Sequence, residues 1–183
     1  MVNPKVRKTL ILLHLYIAAF MAPAFGLVAI SGGLYLLGNK GKVERVTIPF
    51  PSQTTLDFGS DTLEMDIREM LKSADIDHKF EYLKIRENQV QTRPTSREFI
   101  EFKQSPTGLM VTRNTPDLQY TMMELHKGHG PKLFKKYQYL VALALLGVVF
   151  GGFLVGLLAK AYRKKAIGAS VIGFVVFLIL ALF

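Results

Sequence analysis

The segment YLVALALLGVVFGGFLVGLLA, residues 139–159, contains no charged side chain and decides the architecture of this chain. About 20 consecutive apolar residues span the hydrocarbon core of a bilayer. Two further blocks, Leu10–Leu37 and Ala166–Phe183, are similarly apolar. A soluble core helix of this length would keep a polar face. The sequence therefore predicts three transmembrane helices, over residues 9–38, 138–159 and 166–183.

The distribution of charge gives these helices an orientation. All 14 acidic residues lie between Glu44 and Glu124, and the segment 39–137 is nearly neutral. The remaining basic residues flank the apolar blocks without any acidic neighbour, namely Lys5, Arg7, Lys8, Lys160, Arg163, Lys164 and Lys165. Unopposed cations beside membrane spans mark the cytoplasmic side. We therefore expect a bacterial inner-membrane protein with residues 1–8 and 160–165 in the cytoplasm and residues 39–137 in the periplasm.

The composition excludes several classes of function. Most of the net charge of +9 comes from the seven basic residues that flank the spans, so it does not indicate a nucleic-acid partner. The chain has no cysteine, which excludes disulfides, Cys-ligated zinc and iron–sulfur clusters. It also lacks a G-x-S-x-G elbow, an H-E-x-x-H motif and a Gly-rich phosphate loop. The sequence predicts no catalytic residue and no metal site.

The N-terminus has features of a signal peptide. Three basic residues precede an apolar stretch that includes the small-residue site Ala22-Pro23-Ala24. Signal peptides have apolar regions of about 7–15 residues, whereas this stretch continues to Leu37, roughly twice as far. We expect an uncleaved anchor, with the lipid bilayer as its first partner.

The segment between the first two spans predicts a small α+β domain with one helix on an antiparallel sheet. Residues 39–56 are Pro-containing and predict an extended connector. Asp61 and Glu64 have capping-box spacing, and the apolar periodicity after them predicts a helix of about 14 residues. Short runs of aromatic and β-branched residues predict strands at Phe80–Ile85, Gln89–Thr92, Arg97–Lys103 and Leu109–Arg113. Asp117–Leu125 predicts a second, short helix.

Small residues recur along the predicted spans at spacings that favour close helix contact. They are Gly26, Gly32, Gly33, Gly147, Gly151, Gly152 and Gly156. Glycines four residues apart share one helical face and let another helix approach in lipid. Two interpretations stay open: packing among the three spans of one chain, or docking in a homo-oligomer or a larger membrane complex.

The chain resembles the PepSY-associated transmembrane family. The resemblance rests on Leu13-His14-Leu15-Tyr16, on Ser31-Gly32-Gly33-Leu34-Tyr35 at the far end of the first span, and on Leu125-His126-Lys127-Gly128-His129-Gly130 before the second. It covers most of residues 7–160 and implies a PepSY-like periplasmic domain, a module proposed to inhibit proteases or regulate periplasmic proteins. Larger members resemble ferric-siderophore reductases that carry haem, but this chain lacks their additional spans and flavin domain.

The four histidines are the candidates for ligand chemistry. His14 lies inside the first span, where an ionisable residue is a functional candidate, although an interfacial hydrogen-bonded histidine is the alternative. His126 and His129 would share a face if helical and could ligate haem or a metal, or they could cap and pack. His78 could bind a cation or lie in a solvated turn.

Two functions follow from these expectations. The first is a non-enzymatic accessory or regulatory subunit that displays the PepSY-like domain and docks through its Gly-rich helices, with no cofactor expected. The alternative is an electron-transfer component that binds haem b and is related to ferric-siderophore reductases. Because the predicted His14 and His126 lie near opposite faces of the membrane, roughly 25–30 Å apart, they could not share one iron.

Overall fold

The computed structural model describes residues 4–51, 54–106 and 108–183 of the chain. Contacts divide the chain into two units. The helical unit comprises the described residues up to Phe25 together with Tyr139–Phe183, and the sheet unit comprises Gly26–Gln138. The elements in chain order are α1 (Pro4–Leu36), β1 (Val43–Ile48), α2 (Leu63–Ser73), β2 (Tyr82–Arg86), β3 (Gln89–Arg93), β4 (Phe99–Ser105), β5 (Gly108–Pro116), α3 (Leu118–His126), α4 (Lys132–Leu158) and α5 (Arg163–Leu182).

Helices α1, α4 and α5 are long and apolar enough to cross a membrane, which suggests a membrane protein. At 1.5 Å per residue, the 20 residues of α5 extend about 30 Å, the thickness of a bilayer's hydrocarbon core. Apart from Met21 and Ser31 of α1, no described residue of these three helices is buried within the protein. Large aromatic side chains such as Phe20, Phe150 and Phe174 are more than half exposed.

The sheet has five antiparallel strands in the order β1-β5-β4-β3-β2. Helix α2 supplies Leu63, Ile67 and Leu71 to its core. These side chains recur at the 3.6-residue period of one helical face, as predicted from the sequence. They belong to one buried cluster with sheet residues that include Val90 and Phe102. The prediction of a small α+β unit with a helix and an antiparallel sheet is confirmed.

Two local predictions are wrong. Residues 39–56 are not only a connector, because Val43–Ile48 pairs with β5 as an edge strand. Helix α2 is shorter than predicted and has Thr62 as its N-cap, without a side-chain capping bond. Glu64 does not complete a capping box; its Oε1 accepts a hydrogen bond of 2.7 Å from Arg68 Nη2 instead.

The remaining predicted elements are present, with shifted boundaries. Asp117 caps the short helix α3, since its Oδ1 accepts a hydrogen bond of 2.7 Å from Tyr120 N. Strands β4 and β5 pair as far as Ser105 and Gly108, and Gly108 has a φ of +119° that favours glycine there. Thr107, between these two residues, lies outside the described residues.

Candidate functional site

The sheet unit contains a group of polar side chains on and around α3, which we call the polar junction. Its members are Ser31, Arg93, Thr95, Gln119, Glu124 and His126. All except the half-buried His126 are at least nine-tenths buried. A buried polar group costs free energy unless it is hydrogen-bonded. The bonds that these groups make therefore show what the junction holds together.

Glu124 is the charged centre of the polar junction. Its Oε2 accepts hydrogen bonds from Thr95 Oγ1, at 2.5 Å, and from His129 Nδ1, at 2.8 Å. The buried Arg93 guanidinium lies 3.7 Å from the same oxygen and donates to Thr95 Oγ1 at 2.7 Å. Burial by itself raises the pKa of Glu124, but the bonds from Thr95 and His129, with the charges of His129 and Lys127, lower it below its ordinary value. Glu124 is therefore held as a carboxylate.

The other half of the polar junction attaches α3 to the end of α1. The hydroxyl of Ser31, which is fully buried, lies 3.1 Å from His126 Nδ1. Gln119 Nε2 donates to the carbonyl oxygen of Ser31 at 3.1 Å and to that of Asn39 at 3.0 Å. Helix α3 is thus hydrogen-bonded both to Ser31 in the final turns of α1 and to Asn39, which precedes β1.

The start of α4 is fixed to the same unit. Gln138 Nε2 donates to the carbonyl oxygens of Leu125, at 2.6 Å, and His126, at 3.3 Å, which belong to the last turn of α3. These carbonyls are among those that a helix end leaves without an intrahelical partner. The backbone N–H of Lys132 donates to Glu81 Oε2 at 2.7 Å. The ends of two long apolar helices are therefore hydrogen-bonded into the sheet unit.

His126 and His129 do not lie on one helical face and do not form a pair of ligands. Helix α3 ends at His126, and Gly128, with a φ of +78°, turns the chain before His129. His126 contacts Ser31, whereas His129 contacts Glu124. No three His, Asp or Glu side chains in the described ranges are grouped so that they could hold a metal ion.

His14 packs against the glycine patch of α4 within the helical unit. A Cβ placed on Gly152 would lie 3.1 Å from His14 Cε1, and one on Gly151 would lie 3.7 Å from His14 Nδ1. Nδ1 is buried and has no hydrogen-bond partner among the described residues. His14 is the only histidine in the sequence of this unit. These residues fit close packing of α1 on α4, and they do not fit a haem held by two histidines of the same unit.

The other predicted packing glycines fall into two groups. A Cβ on Gly156 would lie 3.2 Å from the Cβ of Ala166 on α5, and one on Gly32 would lie 3.7 Å from His126 Cε1. For Gly26, Gly33 and Gly147, no described atom lies within 4 Å of such a Cβ. Some of the glycines therefore serve contacts within the chain, whereas others are open.

His78 is neither a cation ligand in a described cluster nor part of a solvated turn, because its side chain is only 6% exposed. Its Nε2 lies 2.9 Å from Thr92 Oγ1 and its Nδ1 lies 3.8 Å from Glu98 Oε1. This order of carboxylate, imidazole and hydroxyl resembles a hydrolytic triad. However, Thr92 is fully buried, and its Oγ1 accepts a hydrogen bond from Ile100 N at 2.8 Å. The arrangement stabilises the sheet and offers no accessible nucleophile.

Sequence reasoning missed the centre of the polar junction. Glu124 lies in the apolar context Met122-Met123-Glu124-Leu125, and a lone carboxylate in such company is a signal for a buried ion pair. Two of its partners, Arg93 at the end of β3 and Thr95 just after it, could not be identified without the fold.

Comparison of the chain with protein-family models, with curated proteins and with solved structures gives no match.

Proposed function

We propose that this chain is an accessory or regulatory subunit of a bacterial inner membrane, with three spanning helices and a PepSY-like α+β domain in the periplasm. One observation carries the proposal: the apolar stretches of α1, α4 and α5 are not buried within the protein. Apolar surface on this scale is not left to water in a soluble monomer, since large exposed apolar patches mark interaction or membrane surfaces. The bilayer is the solvent that suits it.

The basic residues beside the spans support the orientation in which the sheet unit is periplasmic. Lys5, Arg7 and Lys8 precede the apolar part of α1, Lys160 lies in the connection between α4 and α5, and Arg163 is the first residue of α5. One span, α1 or α4, separates each of these two basic segments from the sheet unit, so both segments would lie on the side opposite to it. The positive-inside rule assigns the first side to the cytoplasm.

The polar junction supports a regulatory rather than a catalytic role. Most of its polar atoms are hydrogen-bonded, although Arg93 Nε and Gln119 Oε1 have no partner among the described residues. The hydrogen bonds of Ser31, Gln119 and Gln138 join α3 to the ends of α1 and α4. A protein that binds the sheet unit and displaces α3 would therefore act on both helix ends, which is the physical connection that signal transfer between two sites requires.

The open glycines support docking of these helices with other subunits or with a second copy. Gly147 lies in α4 with no described atom near its would-be Cβ, so the chain itself does not use this face. A leucine there would fill the space that a partner helix needs. We expect Gly147→Leu to fold and insert but to lose its complex. Ala142→Leu, at an exposed position on another face of α4, is the matched control and should keep the complex.

The experiment is gentle detergent extraction from native membranes, followed by native electrophoresis and mass spectrometry of what co-purifies. The proposal predicts a complex in the wild type and in Ala142→Leu, and its loss in Gly147→Leu. A wild-type protein that is always a monomer without co-purifying protein would overturn the accessory-subunit role.

The haem alternative meets a different situation at each candidate histidine. His126 and His129 each have a polar partner, Ser31 and Glu124, whereas the buried Nδ1 of His14 has none among the described residues. An optical spectrum after expression with ample haem tests this hypothesis. A Soret band that disappears on replacement of His126 would establish haem binding and displace the accessory role.

A further inference from the structure

The helical unit contains an open cavity of about 1160 Å³ where the first turns of α1 meet the connection between α4 and α5. Four of its lining side chains are cationic: Arg7, Lys8, Lys160 and Arg163. Ligand cavities in proteins commonly measure about 300–1,000 Å³. The volume is therefore enough for a molecule much larger than a single inorganic ion.

The cations of this cavity have no acidic side chain to neutralise them within their unit. Every Asp and Glu of the sequence lies between Glu44 and Glu124, and that whole range belongs to the sheet unit. Like charges gathered in one cleft repel each other and create a field that attracts an anion. The missing negative charge must therefore come from a ligand or from the surroundings.

Arg163 is the best-defined of these cations. Its Nε donates to the carbonyl oxygen of Leu157 at 2.7 Å, which orients the guanidinium at the end of α4. The terminal nitrogens of an arginine held in this way provide a planar pair of donors that suits phosphate oxygens. Helix α5 begins at the same residue, and its N-terminus has neither an acidic side chain in the first turn nor a side-chain cap. The positive end of its dipole adds to the attraction of an anion.

Apart from Tyr162, the rest of the lining is apolar. Ile11 and Leu12 of α1 and Leu158 of α4 contribute to the wall, and all three belong to helices long and apolar enough to span a bilayer. A soluble anion such as inorganic phosphate would gain nothing from these side chains. A phospholipid would place its acyl chains along them while its headgroup meets the cations. Basic pockets between membrane helices bind anionic lipid headgroups for this reason.

We propose that this cavity binds the phosphate headgroup of an anionic phospholipid, with Arg7, Lys8, Lys160 and Arg163 as its headgroup contacts. The inference rests on the proposed insertion of the helices into a membrane. It deepens that proposal by assigning a specific lipid site to the ends of α1 and α4.

The test uses the full chain in a neutral detergent and measures lipid adducts by native mass spectrometry. The probes are phosphatidylglycerol, phosphatidylcholine with the same acyl chains, and soluble glycerol phosphate. The variant is Lys8→Gln/Lys160→Gln, which removes two charges from the cavity. Its matched control is Lys164→Gln/Lys165→Gln, which removes two charges from residues that follow Arg163 but do not line the cavity.

The proposal predicts preferential binding of phosphatidylglycerol to the wild type, weakened on the order of tenfold in Lys8→Gln/Lys160→Gln and much less in the control. Equal binding of phosphatidylcholine, or equal loss in both variants, would overturn it. Binding of glycerol phosphate as tight as that of the lipid would make the occupant a soluble phosphate and would overturn the lipid assignment. Alkaline carbonate extraction of the membranes that contain the protein tests insertion separately. A protein that resists extraction but shows no lipid preference refutes the lipid site alone. A protein that carbonate extracts refutes the proposed membrane function.

Discussion

Replacing Glu124 by glutamine tests whether the polar junction holds the sheet unit together. The substitution keeps the shape of the side chain and an oxygen for Thr95, but it removes the charge beside Arg93 and His129. Arg93 and Glu124 are both at least nine-tenths buried, so the remaining guanidinium would lie uncompensated in the protein. Breaking a buried ion pair in this way costs about 3–5 kcal/mol, and the retained Thr95 bond favours the lower end, about 3 kcal/mol.

Hydrogen exchange measured by mass spectrometry on the full chain in detergent is the suitable assay. A loss of about 3 kcal/mol would speed exchange of the protected amides of β3, β4 and α3 roughly 150-fold. The matched control is Glu64→Gln, whose ion pair with Arg68 is about half exposed on both sides and should cost no more than about 0.5 kcal/mol. Equal, small effects of the two substitutions would refute the reasoning that the junction is a stabilising element.

Three further predictions follow from single contacts. Burial lowers the pKa of His78 below its usual 6.5, despite the nearby Glu98. The stability of the sheet unit should therefore fall as the pH drops below 6.5, because the unfolded chain then binds a proton that the folded one does not. Hydrogen exchange of His78→Gln should show a weaker dependence on pH. Gly152→Leu should lower the free energy of unfolding of the helical unit in detergent by about 1–3 kcal/mol, because His14 occupies the space that the leucine side chain would need. Gly147→Leu should not lower it. Gly41→Ala should destabilise α3 by about 1–3 kcal/mol, measurable by its amide exchange, because Gly41 has a φ of +77° and its added Cβ would overlap the backbone of Tyr120.

The long helices could be located from the sequence because their signal is local. A run of charge-free residues long enough for a bilayer needs no tertiary information, and α1, α4 and α5 begin and end within a few residues of the predicted spans. The larger shift is at α4, which begins at Lys132 rather than at residue 138. The additional residues 132–137 include three lysines, so hydropathy does not mark them as part of a span, and the backbone N–H of Lys132 donates to Glu81 Oε2.

The sheet was only partly predictable. Strands β3, β4 and β5 show buried apolar positions that the sequence displays as β-branched and aromatic residues. Strand β1, VERVTI, has four β-branched residues, and Ile48 packs against the core cluster, so a strand signal was present in the sequence. The two prolines that follow, Pro49 and Pro51, favoured a connector, and pairing with β5 makes the segment an edge strand.

The candidate site was largely beyond sequence reasoning. Spacing suggested that His126 and His129 act together, but the end of α3 at His126 separates them. The partners that matter, Ser31 and Glu124, are identified by tertiary contacts across many residues of sequence. The apolar neighbours of Glu124 signal that this carboxylate is buried, but its partner Arg93 is identified only by the fold.

The most direct test of the central claim is the side of the membrane on which two single cysteines lie. The chain has no native cysteine, so Asn88→Cys in the turn of the sheet unit and Lys164→Cys at the start of α5 give signals without background. An impermeant maleimide applied to cells with a permeabilised outer membrane should label Asn88→Cys, and it should label Lys164→Cys only after the inner membrane is opened. Labelling of both cysteines before that step, or protection of the sheet unit, would contradict the account.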